Sequence, residues 1–364
     1  MHAAGLMPSI PTTRRSVVAM CIFAFCAILA RPAAAAQPAP NPRDLLPAGL
    51  EIAIDRGLFF LQKQQKADGS FDAIGPANAN TGLALLAFLA SGHTPDAGKY
   101  GLTVRAALDY LASQKPEGGY FGRDDGRMYS HCIVTLALAE AHGTETDELQ
   151  RRRVRATLDK CLAVLLAAQD VRKDKGSEGG WRYEPTSSDS DLSVTAWCTL
   201  ALRACQNAGL NVPPERFERA TTYMLSCYRP QTKVFAYQPG GDGSIAMTAA
   251  ALLNLHLAGA GRSPEAEGAA SLLMQKPPKD GERYHYYTLY YVTEAAFQAG
   301  DKAWPILWKN TCDQLLASQR KDDGSWPAKP NEPGGDHKPG RFYATAMASL
   351  TLSVPLGLLP VYQR

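Results

Sequence analysis

Net charge is nearly missing from this 364-residue chain, in which 38 Lys and Arg face 35 Asp and Glu. Arg14, Arg15 and Arg31 carry the whole excess. No acid precedes residue 37, so residues 37–364 balance at 35 of each sign. That balance supplies no electrostatic footprint for a nucleic acid or an anionic membrane. CxxC and HExxH are absent, as are a phosphate-cradling glycine loop and the setting of a Ser–His–Asp triad. Their absence removes the common zinc, nucleotide and nucleophilic-hydrolase signatures. Long apolar runs are also missing: the stretch Val17–Ala30 spans 14 residues, short of the roughly 20 that cross a bilayer. Eight cysteines are present, two of them (Cys21 and Cys26) in that stretch. Cys132, Cys161, Cys198, Cys205, Cys227 and Cys312 fall singly in apolar helical segments and read as small core hydrophobes. A disulfide between neighbouring helices is open to them in an oxidising compartment.

The N-terminus has the layout of an export signal. Arg14-Arg15 precedes the apolar run, and Ala33-Ala34-Ala35-Ala36 offers a small-residue cleavage site before Gln37. The paired arginines suggest the twin-arginine route. Residues 1–36 are expected to direct export to the periplasm or beyond, with an uncleaved anchor as the alternative. Residues 37–47, with prolines at 38, 40, 42 and 47, read as a tether.

What is abundant is internal repetition. Six segments end in helix, turn and aromatic, with anchors at Gln64, Gln114, Gln169, Cys227, Gln275 and Gln319. The turns that follow include Asp68-Gly69-Ser70-Phe71, Gly118-Gly119-Tyr120-Phe121, Gly179-Gly180-Trp181 and Asp323-Gly324-Ser325-Trp326. The anchor spacing accommodates two helices and two loops per unit. The first helix of a unit is amphipathic: Phe217, Ala220, Met224 and Cys227 share one face, and Arg216, Glu218 and Arg219 the other. The second is apolar on nearly all sides, as in 245–257, and must be buried on all sides. Each second helix ends in a turn glycine, at 92, 143, 209, 259, 300 and 357. An all-α fold follows: one α6/α6 toroid of six hairpins over 48–364, its inner ring apolar and its outer ring amphipathic. An open solenoid is the alternative.

These endings resemble the repeat of squalene–hopene cyclases and protein prenyltransferase β-subunits. The similarity is strongest to bacterial single-toroid prenyltransferase/squalene-oxidase-repeat proteins. It is carried by Gly179-Gly180-Trp181-Arg182-Tyr183, the 189–197 segment, the 284–291 tyrosine run, Trp304–Trp308 and Gly340-Arg341-Phe342-Tyr343. The cyclase resemblance implies proton donation by an acidic motif. Asp189 and Asp191 match its first and third positions, and Leu192 stands where its last Asp would be. The prenyltransferase resemblance implies zinc, with Asp191 where that family has Cys and His285 as a further ligand.

The residues themselves allow plainer roles. Asp191 or Ser193 can cap the apolar helix that follows, and the tyrosines can pack inner helices together. The candidate catalytic residues are Asp189 and Asp191. The candidate ligand wall is Arg182, Tyr183, Trp197, His285, Tyr286, Tyr287, Tyr290, Arg341 and Tyr343, and no metal or cofactor is expected. The expected ligand is an apolar, isoprenoid-like lipid bound after export, with terpenoid-cyclase-like chemistry. The alternative is a non-catalytic scaffold for a peptide or polysaccharide. A thioester is excluded because no Cys-Gly-Glu-Gln run exists. No nucleic acid and no membrane span beyond the signal is expected, and the sequence names no protein partner.

Overall fold

Residues 46–71, 76–300, 302–329 and 340–363 are described by a computed structural model. The expected export signal and most of the expected tether lie outside them, as do residues 330–339. Among the described residues twelve α-helices alternate between two layers. The outer layer holds α1 (Leu50–Gln62), α3 (Gly101–Ser113), α5 (Glu148–Asp170), α7 (Glu215–Ser226), α9 (Pro264–Gln275) and α11 (Ala303–Ser318). The inner layer holds α2 (Ala77–Ala90), α4 (Arg127–Ala141), α6 (Leu192–Asn207), α8 (Ile245–Leu257), α10 (His285–Ala299) and α12 (Gly340–Ser353). Each inner helix packs on the next, α12 packs back on α2, and α1 lies against α12. The ring is therefore closed, which decides against the open solenoid. Polarity assigns the layers: α8 is buried from Ala246 through Leu255, while α7 buries Ala220, Tyr223 and Met224.

The repeated turn is what joins one unit to the next. In the third unit the Gln169 amide donates to Gly179 O and to Arg216 O of α7, at 2.8 and 3.0 Å. In the sixth, Gln319 donates to Gly324 O and to Ala53 O of α1, both at 2.8 Å. Gly179 and Gly324 have φ of +87° and +76°. A Cβ there would sit 2.4 Å from Arg219 O and 2.8 Å from Arg56 O. Only glycine satisfies both the left-handed backbone and the close approach. The aromatic after the turn is buried, and its backbone N–H donates to a threonine one turn into the inner helix. These pairs are Phe71 with Thr81, Trp181 with Thr195, Phe235 with Thr248 and Trp326 with Thr345. In the second unit His131 replaces the threonine: its Nδ1 accepts from Phe121 N–H, and its Nε2 donates to Cys161 O.

Three details differ from the sequence reading. The bridging glutamine of the first unit is Gln65, not Gln64, because it is Gln65 that reaches Gly69 O and Thr103 O of α3. Gln114 and Gln275 bond within their own helices, to Tyr110 O and Ser271 Oγ, and do not bridge. The fourth unit, with Cys227 in the glutamine position, makes a small antiparallel sheet of β1 (Tyr228–Arg229), β2 (Val234–Ala236) and β3 (Gly243–Ser244). Its register pairs Tyr228 with Phe235 and Phe235 with Ser244. Without the glutamine amide, that turn's backbone groups satisfy one another. The six turn glycines after the inner helices all take positive φ, as expected.

Candidate functional site

The inner helices all begin at the same mouth of the ring, just after the repeated turns. Asp191 is the N-cap of α6: its Oδ1 accepts Val194 N–H at 2.8 Å, and its Oδ2 accepts Arg182 Nη1 at 2.9 Å. The side chain is fully buried. Desolvation raises its pKa above the usual aspartate value, against the pull of the Val194 amide and Arg182. Arg182 also meets Asp189 through Nε at 3.0 Å and Tyr237 Oη through Nη1 at 2.9 Å. Its guanidinium lies 4.3 Å from the Tyr183 ring and 5.3 Å from the Tyr237 ring. The hydroxyls of Tyr183 and Tyr237 are 2.6 Å apart. Arg127, at the start of α4, covers Tyr183 from another side and pairs with Glu184 at 3.6 Å. Two guanidiniums thus face three carboxylates, so the mouth has no cationic surplus for an anionic ligand.

Below these side chains the lumen is crossed by others in three tiers. In the first, Tyr129 of α4 donates to Ser193 of α6 at 2.8 Å, and Ser193 meets Tyr287 of α10 at 2.9 Å. In the second, Trp197 of α6 stacks on Tyr290 of α10, with ring centroids 6.0 Å apart, and meets Tyr291 edge-on at 5.8 Å. In the third, Tyr290 bonds Tyr362 of the C-terminal segment. There Gln298 donates to Tyr362 O at 2.6 Å, and Val361 N–H points at both oxygens of Glu140, at 3.2 and 3.3 Å. Trp197 is 3% exposed, Tyr287 7%, and Tyr290 and Tyr291 0%. Two surface cavities lined by described residues lie away from this column. One of about 350 Å³ is bounded by His142, Arg151 and Arg155, and one of about 200 Å³ by Asp55, His93 and Leu356.

Of the residues singled out in the sequence, Arg182, Tyr183, Asp189, Asp191, Trp197, Tyr287 and Tyr290 fall into this one column. The others stand apart from it. Buried His285 has Asp280 as its neighbour at 3.6 Å, and Asp280 in turn holds Lys329. Burial lowers the His285 pKa despite that carboxylate. Tyr286 donates to Pro327 O at 2.7 Å. Arg341 bonds Ser325 and Asp323 of the closing turn, and Tyr343 is half-buried beside it on α12. Among the described residues no group of three His, Cys, Asp or Glu is placed to hold a metal.

Sequence reasoning missed Tyr129 and Tyr237, and it offered Ser193 only as a cap, whereas Ser193 links Tyr129 to Tyr287. It also missed Glu140 and Glu294, which lie under the mouth. These two are the only acids in the six inner helices, a signal that was available. Burial pushes the Glu140 carboxyl up to about 8, partly offset by the Val361 amide. Glu294 is raised well above its ordinary value by burial and by Glu140.

No family model and no curated protein matches this sequence. Solved structures do match. A type II terpene cyclase from Scytonema in its apo form shares 16% identity at a TM-score of 0.55. The match covers 88% of this chain and all of that one. A family 76 glycoside hydrolase from a bovine Bacteroides thetaiotaomicron strain shares 10% identity at 0.59, over 85% of this chain and 78% of that one. A sugar epimerase from a ruminal bacterium shares 12% at 0.59, over 85% and 99%. The chain is an α/α toroid. At these identities the likeness is one of fold, and it agrees with the squalene-cyclase-like ring that the repeats imply. No helix among the described residues is long and apolar enough to cross a membrane.

Proposed function

We propose that this toroid is an exported binding module that holds a neutral, hydroxyl-rich chain, a saccharide polymer, across the mouth formed by the N-terminal ends of its inner helices. The observation that carries the reading is the filled lumen under a mouth with no cationic surplus. An isoprenoid tail needs an apolar hole, and Trp197, Tyr287, Tyr290 and Tyr291 occupy that space themselves. What the mouth offers instead is half-buried tyrosine rings at Tyr129, Tyr183 and Tyr237, with hydroxyl, carboxylate and guanidinium groups at their edges. Amphipathic rings with polar tips suit a ligand that is apolar on its ring faces and polar at its rim. In this reading Asp191 positions Arg182, and Asp189 is the solvent-facing acceptor. Two solved neighbours whose names denote sugar enzymes share the scaffold, which supports the choice of ligand class.

The test is retention on a panel of immobilised neutral oligosaccharides, followed by calorimetry with the best binder. Tyr183→Ala and Tyr237→Ala are each expected to weaken binding at least tenfold while leaving the unfolding midpoint within a few degrees. Absence of any neutral-saccharide binding, or unchanged affinity in both variants, rejects the proposal.

A second reading, terpenoid-cyclase-like proton donation, is favoured by one observation: desolvation raises the pKa of Asp191, as a protonated acid requires. A terpene cyclase neighbour was solved with geranylgeranyl dihydroxybenzoate bound. Under that reading Asp191→Asn abolishes turnover of an isoprenoid substrate. Under the binding reading the same variant keeps the helix cap, since Asn caps as well as Asp, and retains saccharide affinity within a few-fold.

A further inference from the structure

Cys132 of α4 and Cys198 of α6 bring their sulfurs to 2.9 Å, and both side chains are fully buried. Two non-bonded sulfurs do not settle that close, and the contact is only ~0.9 Å longer than the ~2.05 Å covalent bond. The two helices are neighbours in the inner ring. They are also tied one turn nearer the mouth by the Tyr129–Ser193 hydrogen bond. We infer that Cys132 and Cys198 are a disulfide site, a covalent rung between α4 and α6 directly beneath the mouth. The co-reactant is a disulfide-bearing oxidant, of the protein or small-molecule kind found in oxidising compartments. One cysteine, as thiolate, attacks the oxidant's disulfide, forms a mixed disulfide and releases the first thiol. The other cysteine's thiolate then displaces the second thiol and closes the Cys132–Cys198 bond. Two protein thiols lose two electrons and two protons, and one oxidant disulfide becomes two thiols.

Burial sets when this happens. In the closed ring desolvation, with Cys132 beside it, holds the Cys198 thiol far above its ordinary pKa, which suppresses the attacking thiolate. The bond therefore forms only while α4 and α6 are accessible to the oxidant, during folding or in a later opening of the ring. Once made, it is shielded from reductants. Cys161 on α5 and Cys205 on α6 are also buried, and are the competing partners.

The experiment is a non-reduced peptide map of the full chain, prepared in two ways. One sample is recovered from the exported fraction. The other is refolded from denaturant with oxidised and reduced glutathione. Free thiols are alkylated under denaturing conditions before digestion. The expected result is a linked Cys132–Cys198 peptide, with Cys161, Cys205, Cys227 and Cys312 recovered alkylated. Dithiothreitol should leave the native protein's link intact and remove it after unfolding. Reduction should lower the midpoint of unfolding by several degrees, on the order of 5 °C. Cys132→Ser should abolish that shift and leave Cys198 alkylated. Recovery of Cys132 and Cys198 as alkylated thiols in both preparations overturns the inference, as does a link through Cys161 or Cys205. Neither result bears on saccharide binding, so the two proposals fail separately.

Discussion

Replacing Trp326 by alanine is expected to cost about 3–5 kcal/mol of stability, the range for a fully buried tryptophan, and to open the ring at one place. The indole is 0% exposed, and its Nε1 donates to Leu315 O at 2.8 Å. Its ring also lies against Gly57 of α1, where an added Cβ would be 2.7 Å from Trp326 Cζ3. That contact joins the last unit to the first. Trp181 has the same chemistry in the third unit, with its Nε1 donating to Leu165 O at 2.9 Å, but it lies away from the seam. Both alanine variants should show similar losses in denaturant unfolding. Hydrogen exchange should separate them: Trp326→Ala releases protection first in α1 and α12, and Trp181→Ala in α5 to α7. A loss under 1 kcal/mol at Trp326 would show that the closing turn does not hold the ring shut.

The second large effect is a pH dependence. Glu140 is 3% exposed, and burial raises its pKa from 4.5 to about 8. Because the folded value lies above the unfolded one, the neutral carboxyl is the form that folding tolerates. The stability attached to it is present below about pH 4.5 and is lost as pH rises toward about 8. At pH 9 the accumulated loss is on the order of 5 kcal/mol, from about 1.4 kcal/mol per pH unit between about 4.5 and 8. Glu140→Gln keeps an acceptor for Val361 N–H and cannot ionise. The variant should therefore be roughly 5 kcal/mol more stable than the parent at pH 9, relative to their difference at pH 4.5. Chemical denaturation at the two pH values measures it. An equal pH slope in parent and variant would mean that Glu140 does not sit neutral under the C-terminal segment. The groups facing Glu140 across the ring are Glu294 and Tyr290 of α10 and Tyr362 of the C-terminal segment. All are pushed toward their neutral forms by burial, so none supplies a compensating positive charge.

The ring and its two layers were legible before any coordinates, because they follow from local patterns. Inner helices such as Ile245–Leu257 are apolar all round and outer ones such as Glu215–Ser226 on one side only, and burial must follow that polarity. The turn glycines announced the helix ends for the same local reason: a left-handed residue without Cβ strain is a glycine. The cap at Asp191 was readable as one of two roles, from an acid ahead of an apolar helix. What sequence periodicity could not resolve was register and reach. Gln64 and Gln65 are equally good anchors on paper, and only the position of α3 shows that Gln65 meets Thr103 O.

The tyrosine run likewise named its residues without naming their direction. Neighbours along α10 point different ways around the helix. Tyr287 and Tyr290 cross the lumen to Ser193 and Trp197, while His285 and Tyr286, in the first turn of α10, meet Asp280 and Pro327. Whether an aromatic lines a hole or fills it depends on side chains brought from helices distant in the sequence. Trp197 meets Tyr290 and Glu140 meets Val361 only because the ring closes. Local residue patterns set the helices, their layers and the turns that link them. The closed ring decided that its lumen is packed, that its mouth has no cationic surplus, and which buried groups face one another.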